Sequence, residues 1–343
     1  MTHTFRNHRA ELAQAGLHFP DEVKFYDGLE SGPIAHDAAI QASLITQVNA
    51  GIPAWLSNII DPKIIEVMLA PMKAAEITGE KGIGNWTIQS TQFPLMEYAG
   101  EVSSYGDYNN NGSSSANVNW IDRQQYIYQG ICNWGDQEIA RYGLAKIDYA
   151  NSVRKARGVA FARFQNKSYF FGISNLRNYG LLNDPALYPA ITPTTKTAGG
   201  TSWAVAKPEE ILQDITNLFH QLVLQTNELV DSNTPMKLCL SGVPASYMNN
   251  TNQFGLSVKA KLKEIYPKLE IITAPEYNTS AGELVQLIAP EVMGQEVLCS
   301  YFGDKLRAFP LFRDLSSFRQ KFEAGTWGCI IKFPPGIAQM LGI

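Results

Sequence analysis

Two residues of this sequence could work together as a nucleophile and a base. Ser241 follows the apolar run MKLCL, which is typical of a buried strand, and His220 lies on an amphipathic segment that begins at Pro208. A serine whose proton is taken by a histidine is the nucleophile of many hydrolases. Ser241 lacks the flanking glycines of the G-x-S-x-G nucleophile elbow, however. An α/β hydrolase is therefore an alternative that the sequence leaves open without a motif to favour it.

The sequence contains no residue pattern typical of a cofactor-binding or metal-binding site. Gly79, Gly82 and Gly84 are in the wrong order for a dinucleotide loop and no GK[ST] follows them, so they predict a turn. The four cysteines are 107, 60 and 30 residues apart, each in an apolar run, which predicts buried thiols rather than zinc ligands. Four of the five histidines fall within the first 36 residues without regular spacing. We therefore predict no catalytic residue, no cofactor and no metal.

The composition favours a surface that meets other proteins. Charged residues make up 17% of the 343 residues, where about 25% is usual. The chain instead carries 22 Asn and 18 Gln. Burying an amide costs less than burying a charge, so such a surface is suited to protein contacts. An ordinary protein with an amide bias is the alternative.

Charge and hydropathy exclude two broad classes. A net charge of −4 argues against a protein that mainly coats nucleic acid. No apolar run reaches the length of about 18 residues that a membrane span needs. The opening residues MTHTFRNHRAELAQAG contain no apolar signal-peptide core, so we expect the chain to be made and kept in a cytoplasm.

The first part of the chain predicts an arm and a long hairpin. Residues 1 to about 60 are broken by glycines and prolines into short apolar pieces, and Asp61-Pro62 then predicts a helix start. Strands are predicted at 85–95 and 118–132. The polar, Gly-, Ser- and Asn-rich segment between them is about 20 residues long, which is unusual inside a compact domain. Two strands that lead into such a segment predict a protruding hairpin.

The rest of the chain predicts a long helix, an α/β region and a group of strands. Residues 136–170 lack proline and carry apolar residues at helical spacing, so we predict one spine helix about 50 Å long. From 171 to about 300, helices and strands alternate. The runs EVLCSYF and KLRAFPLF then predict a hairpin around Gly303-Asp304, and SSFRQKFEA and GCIIKF predict two more strands.

This order of elements resembles that of tailed-bacteriophage major capsid proteins, whose fold is named after phage Hong Kong 97. The closing residues GTWGCIIKFPPGIAQMLGI are similar to the C-terminus of one branch of that family. The resemblance implies an α+β fold: an N-terminal arm, an extended β-hairpin loop, a long spine helix with a peripheral β-sheet, and an α/β axial domain. The implied ranges are 1–60 for the arm, 93–120 for the extended-loop tip, 171–300 for the axial domain, and 61–92, 121–170 and 301–343 for the peripheral domain.

The resemblance also implies a function without catalysis. Copies of the chain would form pentamers and hexamers and assemble in the bacterial host cytoplasm into an icosahedral virion capsid around double-stranded DNA. Separate scaffolding, portal and decoration proteins are possible partners, the DNA would be contacted non-specifically, and no membrane is involved. An encapsulin-type compartment with the same fold is the main alternative.

Two departures from other family members lead to further expectations. Some members cross-link through a lysine in the extended loop, but this chain has no lysine between Lys81 and Lys146, so we expect non-covalent contacts. Some members also carry an N-terminal scaffolding region before the arm. Here the first hairpin strand begins near residue 85, so we expect any scaffold to be a separate protein.

Charge is distributed unevenly between the hairpin and the predicted spine helix. Residues 93–120 contain only acidic charges, whereas the second half of the helix is basic. Opposite charges on two copies would steer docking and fix the register. We therefore predict inter-subunit contacts at Glu97, Glu101, Asp107, Arg154, Lys155, Arg157 and Arg163. Solvated faces, or a basic stretch that contacts packaged DNA, are the alternatives.

Overall fold

A computed structural model describes residues 70–144, 148–253 and 255–343, which all belong to the compact unit Pro62–Ile343. The predicted arm at 1–60, the predicted helix start at Asp61-Pro62 and the four N-terminal histidines lie outside the described residues. In the part that is described, no helix is both long and apolar enough to cross a lipid bilayer.

The described helices and strands are numbered here in chain order. The α-helices are α1 Ala74–Thr78, α2 Asp136–Leu144, α3 Tyr149–Phe171, α4 Pro208–Gln225, α5 Gly242–Tyr247 and α6 Val258–Ile265. The strands are β1 Glu80–Gly82, β2 Ser90–Gly100, β3 Ser114–Gln124, β4 Tyr126–Gly135, β5 Met236–Leu240, β6 Leu269–Thr273, β7 Asn278–Thr279, β8 Gly282–Ile288, β9 Glu291–Val292, β10 Gln295–Glu296, β11 Leu298–Phe302, β12 Arg307–Ala308, β13 Phe312–Arg313, β14 Ser317–Ile331 and β15 Ile337–Leu341.

The first sheet is organised around β14. This 15-residue strand pairs with β4 along one edge and with β11, β12 and β13 along the other, and β1 adds to β11 in parallel. The first half of β14 alternates, so Phe318 and Phe322 share one face. The second half, from Thr326, is apolar and fully buried. Gly328 adopts a positive φ of 75° where the pairing with β11 is irregular.

Helix α3 covers one face of this sheet. Its Phe161 and Phe164 rings lie 5.1 and 4.5 Å from the ring of Tyr128 on β4. Two further residues of β4 face the same helix, namely Cys132 and Trp134, which lie four and six residues after Tyr128. The opposite face of β4 is exposed at Ile127 and Ile131. Within the described part of the chain, the β4 edge of the sheet is therefore covered on one side only, whereas β11 and the second half of β14 are buried on both sides.

The second sheet forms the α/β region, as the alternation of elements predicts. Its strand order is β15-β8-β5-β6, with β7 on β8, and β5 and β6 are parallel. Helix α4 packs on it through Ile211, Ile215, Leu218 and Leu222, which recur at helical spacing and are fully buried. These residues belong to the largest hydrophobic core.

The prediction of a single spine helix at 136–170 is wrong. The structure has two helices, α2 and α3, and Asp148 has the non-helical angles φ −79° and ψ 86°. The Asp148 carboxylate accepts a hydrogen bond from the backbone N–H of Asn151 at 3.2 Å, which caps the start of α3. The apolar spacing continues across this cap, so periodicity alone does not reveal it.

The strand predicted at 118–132 is also wrong, because Gln125 divides it into β3 and β4. The Gln125 backbone N–H donates to the carbonyl of Gln89. The Gln125 side chain lies so close to Gly303 and Gly325 that a Cβ on either glycine would collide with it. Both hairpin strands reach further toward the tip than predicted, and β2 begins at Ser90 instead of residue 85. The loop between them is 101–113, shorter than the polar segment of about 20 residues that the sequence predicts.

The strands after residue 296 pair differently from the prediction. The runs EVLCSYF and KLRAFPLF do not form a hairpin around Gly303-Asp304, because β11, β12 and β13 all pair with β14. The two strands predicted in SSFRQKFEA and GCIIKF are the single strand β14. Pro310 interrupts the run KLRAFPLF, which explains why only short pieces of it pair.

Candidate functional site

The hairpin formed by β2 and β3 projects from the rest of the subunit. The two strands make eleven consecutive antiparallel pairs, from Ser90 with Gln124 to Gly100 with Ser114, and each strand is about 36 Å long at 3.3 Å per residue. Near its base, the Phe93 ring lies 5.4 Å from the ring of Tyr301. From residue 94 to residue 120 every residue is exposed or partly exposed. The outer hairpin therefore has no covering within the described part of the chain.

The outer hairpin has two chemically different faces, because directly paired residues lie on the same face of a two-stranded sheet. The apolar face consists of Pro94 with Trp120, Met96 with Val118, and Tyr98 with Ala116. The polar face consists of Leu95 with Asn119, Glu97 with Asn117, and Ala99 with Ser115. Met96, Tyr98 and Trp120 are 59%, 82% and 55% exposed.

The sequence-based search for charged contacts missed this apolar face. Alternate positions in PLMEY and ANVNW are apolar, and that period of two is the signal of a strand with one apolar face. Contiguous exposed apolar residues mark interaction surfaces more often than isolated ones do. The face is therefore the strongest candidate for a binding surface on the hairpin.

The hairpin tip carries aromatic side chains and two of the predicted acidic residues. Tyr105 and Tyr108 are almost completely exposed. The Tyr105 hydroxyl donates to Asp107 Oδ1 at 2.9 Å, and the backbone N–H of Glu101 donates to the Ser113 carbonyl at 2.9 Å. Glu101 and Asp107 therefore lie at the tip, whereas Glu97 lies on the polar face of the hairpin.

The base of the hairpin is fixed to the segment that follows α3. Arg123 Nη2 donates to Asp184 Oδ2 at 2.7 Å, and both side chains are buried. The Arg123 guanidinium also lies 4.9 Å from the centre of the Tyr179 ring. Asn178 Nδ2 donates to the carbonyl of Gln124 at 3.0 Å. These contacts hold the end of β3, and so determine the direction in which the hairpin leaves the subunit.

Two of the predicted basic contact residues are engaged within the subunit itself. Arg154 Nε donates to Gln320 Oε1 at 3.1 Å, and its guanidinium lies 5.1 Å from the centre of the Trp134 ring. Arg157 Nη2 donates to the carbonyl of Ile131 at 2.8 Å. Both side chains thus attach α3 to the first sheet, so reversing their charge would disturb the subunit as well as any contact outside it.

The other basic residues of α3 face solvent. Lys155, Arg163 and Lys167 are exposed. Within the described ranges, neither Arg163 nor Lys167 forms an ion pair. Glu97, Glu101 and Asp107 likewise form no ion pair with α3 of their own subunit in those ranges. Among the described residues of one copy, Glu97, Glu101 and Asp107 therefore form no ion pair with Arg163 or Lys167.

The Ser241 and His220 pair is not assembled. The Ser241 hydroxyl donates to Glu283 Oε2 at 2.5 Å, and His220 is an exposed residue of α4. All four cysteines are free and buried, and burial raises the pKa of Cys239 to about 12 and that of Cys299 to about 11. No cluster that could hold a metal ion occurs among the described residues. The described residues therefore do not assemble the nucleophile and base that the sequence left open.

The fold is similar to that of several solved capsids. The chain resembles the capsid of Myoviridae phage XM1 with a TM-score of 0.71 at 13% identity, over 86% of this chain and 100% of that one. It resembles the capsid of a native GTA particle with a TM-score of 0.60 at 10% identity, over 87% and 99%. For Microbacterium phage Oxtober96 the TM-score is 0.55 at 11% identity, over 84% and 96%.

These structures are too distant in sequence to show more than the fold, which is the Hong Kong 97 type of phage capsid fold. No curated protein matches the chain. The model of the Pa193 gp26 major capsid protein family matches residues 43–342. That match spans most of the 343 residues, including the hairpin, both sheets and helix α3. The chain therefore belongs to the Pa193 gp26 major capsid protein family and is a shell-forming phage capsid protein.

Proposed function

We propose that copies of this chain form pentamers and hexamers that join, through non-covalent contacts alone, into an icosahedral virion shell around double-stranded DNA. Assembly takes place in the host cytoplasm, and the chain performs no catalysis. Residues 171–300 form the axial domain around the five-fold and six-fold axes, and residues 1–60 form an arm. Scaffolding, portal and decoration proteins are separate partners, and the DNA is contacted without sequence preference.

The exposed hairpin is the single observation that supports this proposal most strongly. A two-stranded sheet that stands alone is only marginally stable in water. This one carries large apolar side chains that its own subunit leaves exposed. Contact with other copies would cover these side chains, whereas a monomeric protein would leave them in water.

We also propose that charge guides these contacts. Glu97, Glu101 and Asp107 of one copy would meet the basic surface of α3 in another copy, where Lys155, Arg163 and Lys167 face solvent. Arg154 and Arg157 support this surface from within their own subunit. Such complementary patches raise the rate of association and suppress wrong registers.

Electron microscopy and sedimentation of the purified full-length chain test the proposed assembly. We expect closed particles or ring-shaped capsomers. A homogeneous 38.0 kDa monomer under all assembly conditions would contradict it. After boiling in SDS with reductant, the particles should give a single band near 38.0 kDa. A ladder of heat-resistant multimers would show covalent linkage and would overturn the non-covalent part of the proposal.

Charge reversal tests the electrostatic contact. The double variant Arg163→Glu with Lys167→Glu should reduce particle yield without changing the melting temperature of the dissociated subunit. The matched control is Lys259→Glu with Lys263→Glu, which makes the same charge change on the exposed side of α6. Equal particle yields for both variants would contradict a docking role for the basic surface of α3.

A further inference from the structure

We propose that the Asn111-Gly112 peptide in the hairpin loop is a site of spontaneous deamidation, at which Asn111 becomes aspartate or isoaspartate without the action of an enzyme. This inference goes beyond the proposed function and does not depend on assembly. Asn111-Gly112 is the only Asn-Gly pair in the 343 residues. It lies in the loop 101–113 between β2 and β3, and both of its residues are exposed.

The reaction needs only these two residues and water. The Gly112 backbone nitrogen attacks the side-chain carbonyl carbon Cγ of Asn111. An N–Cγ bond forms, the bond from Cγ to the amide nitrogen breaks, and ammonia leaves with the proton of the Gly112 N–H. Water then opens the resulting succinimide ring. Opening at Cγ gives aspartate, and opening at the backbone carbonyl carbon gives isoaspartate, in which the main chain runs through Cγ.

Both reacting groups are free in the folded subunit. The Asn111 backbone N–H donates to Asn109 Oδ1 at 3.0 Å, and the Asn111 carbonyl accepts from the Ser103 hydroxyl. Within the described residues, neither the side-chain amide of Asn111 nor the backbone N–H of Gly112 forms a hydrogen bond. No hydrogen bond of either group therefore has to break before the Gly112 nitrogen approaches Cγ.

The loop conformation requires a glycine at position 112. Gly112 has a φ of 101°, which side chains rarely allow. A Cβ built on Gly112 would lie 3.2 Å from Ser103 Oγ and 3.4 Å from the Glu101 carbonyl oxygen. A side chain on the residue after an asparagine hinders attack by that residue's backbone nitrogen, and glycine has none. The residue that lets this loop close thus also makes Asn111 reactive.

Two other asparagines of the same loop provide an internal comparison. Asn109 Nδ2 donates to the Ser104 carbonyl at 2.9 Å, and Asn109 Oδ1 accepts from the Asn111 backbone. Both ends of that amide are therefore held in place. Asn110 is exposed, but the residue that follows it is an asparagine, whose side chain hinders attack. We therefore expect the reaction to select Asn111 from three consecutive asparagines.

The products change the loop in charge and in length. The new carboxylate adds to Glu97, Glu101 and Asp107, the acidic residues of a segment, 93–120, that contains no Lys or Arg. Isoaspartate also lengthens the main chain by one atom at the point where the Ser103 hydroxyl holds it. Aged subunits should therefore carry a hairpin loop that is more acidic and less tightly closed.

Peptide mapping of the dissociated full-length subunit tests this inference. The folded subunit is incubated in mildly alkaline buffer, which favours the deprotonated Gly112 nitrogen, and samples are digested and analysed by mass spectrometry over time. We expect the peptide that contains Asn111 to convert from the amide into two acid forms of equal mass that separate by chromatography. The Asn111→Asp variant identifies the aspartate form, and an isoaspartate-specific methyltransferase should label the other form only.

Three variants test which residues are responsible. Gly112→Ala should slow the conversion of Asn111 at least ~10-fold. Asn111→Gln should give no acid product at this position in the same time, because glutamine forms the corresponding six-membered ring much more slowly. Asn110→Gln is the matched control and should leave the rate at Asn111 unchanged.

Two results would overturn the proposal. One is an intact Asn111 in the folded subunit after a time at which the urea-unfolded chain has deamidated there. The other is equal conversion of Asn109, Asn110 and Asn111 in the folded subunit. Because no particle is assayed, these results are independent of whether the chain forms shells, so failure of this inference and failure of the proposed function are distinguishable.

Discussion

Arg123 and Asp184 form a buried ion pair that joins the hairpin to the rest of the subunit. Arg123 lies next to the last residue of β3, and Asp184 lies in the segment after α3, with Nη2 and Oδ2 2.7 Å apart. The side chains are 9% and 1% exposed. Because both charges are withdrawn from water, each depends on the other for compensation.

Removing one charge of this pair should therefore destabilise the subunit strongly. Asp184→Asn leaves the Arg123 guanidinium buried without a counter-charge, and we expect a loss of about 3–5 kcal/mol in the free energy of unfolding. The control is Asp122→Asn, which removes the partner of Arg177 in a pair whose arginine is 63% exposed, and should cost at most about 1 kcal/mol. Urea unfolding of dissociated subunits measures both. Equal losses would contradict the importance assigned to the buried pair.

A second buried ion pair fixes the loop before α4. The Lys196 ammonium contacts the Asp214 carboxylate, both side chains are fully buried, and Trp203 Nε1 donates to Asp214 Oδ2 at 2.8 Å. Lys196→Met alone should cost about 3–5 kcal/mol, since the Asp214 charge then lacks its cation. Adding Asp214→Asn should recover part of that loss, because it removes the unpaired charge, but one amide oxygen cannot replace both carboxylate oxygens, which accept from Trp203 and from Thr194. A double variant no more stable than Lys196→Met in thermal unfolding would argue against this account.

Stability in acid should depend on Glu296. Burial of its carboxyl opposes ionisation, but hydrogen bonds from Lys332 and Lys81 outweigh that effect and lower the pKa of Glu296 below its usual 4.5. A lowered pKa adds stability above the unfolded-state value, and this is lost as the pH falls through the folded-state value. Wild type should therefore exceed Glu296→Gln in stability at pH 7, and the difference should shrink below pH 4.5.

The control for this pH effect is Glu264→Gln, which removes an exposed ion pair with Lys261 on the surface of α6. Such a pair contributes little to stability. Urea midpoints at a series of pH values for the three proteins provide the measurement. A constant difference between wild type and Glu296→Gln down to the lowest pH at which both fold would exclude the proposed linkage.

Helix α3 should become more stable when its central glycine is replaced. Gly158 lies inside the helix, and a Cβ built there meets no atom within 4 Å. Gly158→Ala should therefore stabilise the subunit by about 0.5–1 kcal/mol, mainly through the entropy of the unfolded chain. Gly130→Ala is the contrasting variant, because its Cβ would collide with the Arg157 guanidinium. An increase in melting temperature for Gly130→Ala would contradict the packing described between β4 and α3.

The α/β region could be predicted because its signals are local. Pro208 begins α4 at the predicted position, and the apolar runs MKLCL and LEIIT form β5 and β6. Each of these elements carries its own start signal and its own apolar pattern. The resemblance to phage capsid proteins, which rested on the order of such elements, is confirmed by the family match over residues 43–342.

Apart from the local helix cap at Asp148, the errors occur where contacts between distant residues decide the structure. Gln125 ends β3 because its side chain fits against Gly303 and Gly325, which are far away in the sequence. β11, β12 and β13 align on β14 instead of forming the local hairpin that the Gly303-Asp304 turn suggests. Propensity and periodicity describe neighbours along the chain only, so neither rearrangement is visible to them.

The candidate site was predictable in part. The hairpin and its acidic residues follow from the sequence, but the interaction of Arg154 with Gln320 and Trp134 depends on how α3 crosses the first sheet. The predicted contacts of the charged residues between subunits stay predictions. The apolar face follows from the period of two in PLMEY and ANVNW, which is independent of the charge pattern.

Strand β14 also determines how the subunit would respond to a pulling force. It pairs with β4 through ten consecutive residues, from Ser317 with Gly135 to Thr326 with Tyr126. Antiparallel hydrogen bonds run perpendicular to the strands, so tension along β14 loads all of these pairs in shear at the same time. A shell under outward pressure would stretch its subunits in the plane of the wall. A strand held along both edges by four others gives each subunit a mechanically stiff element for that load.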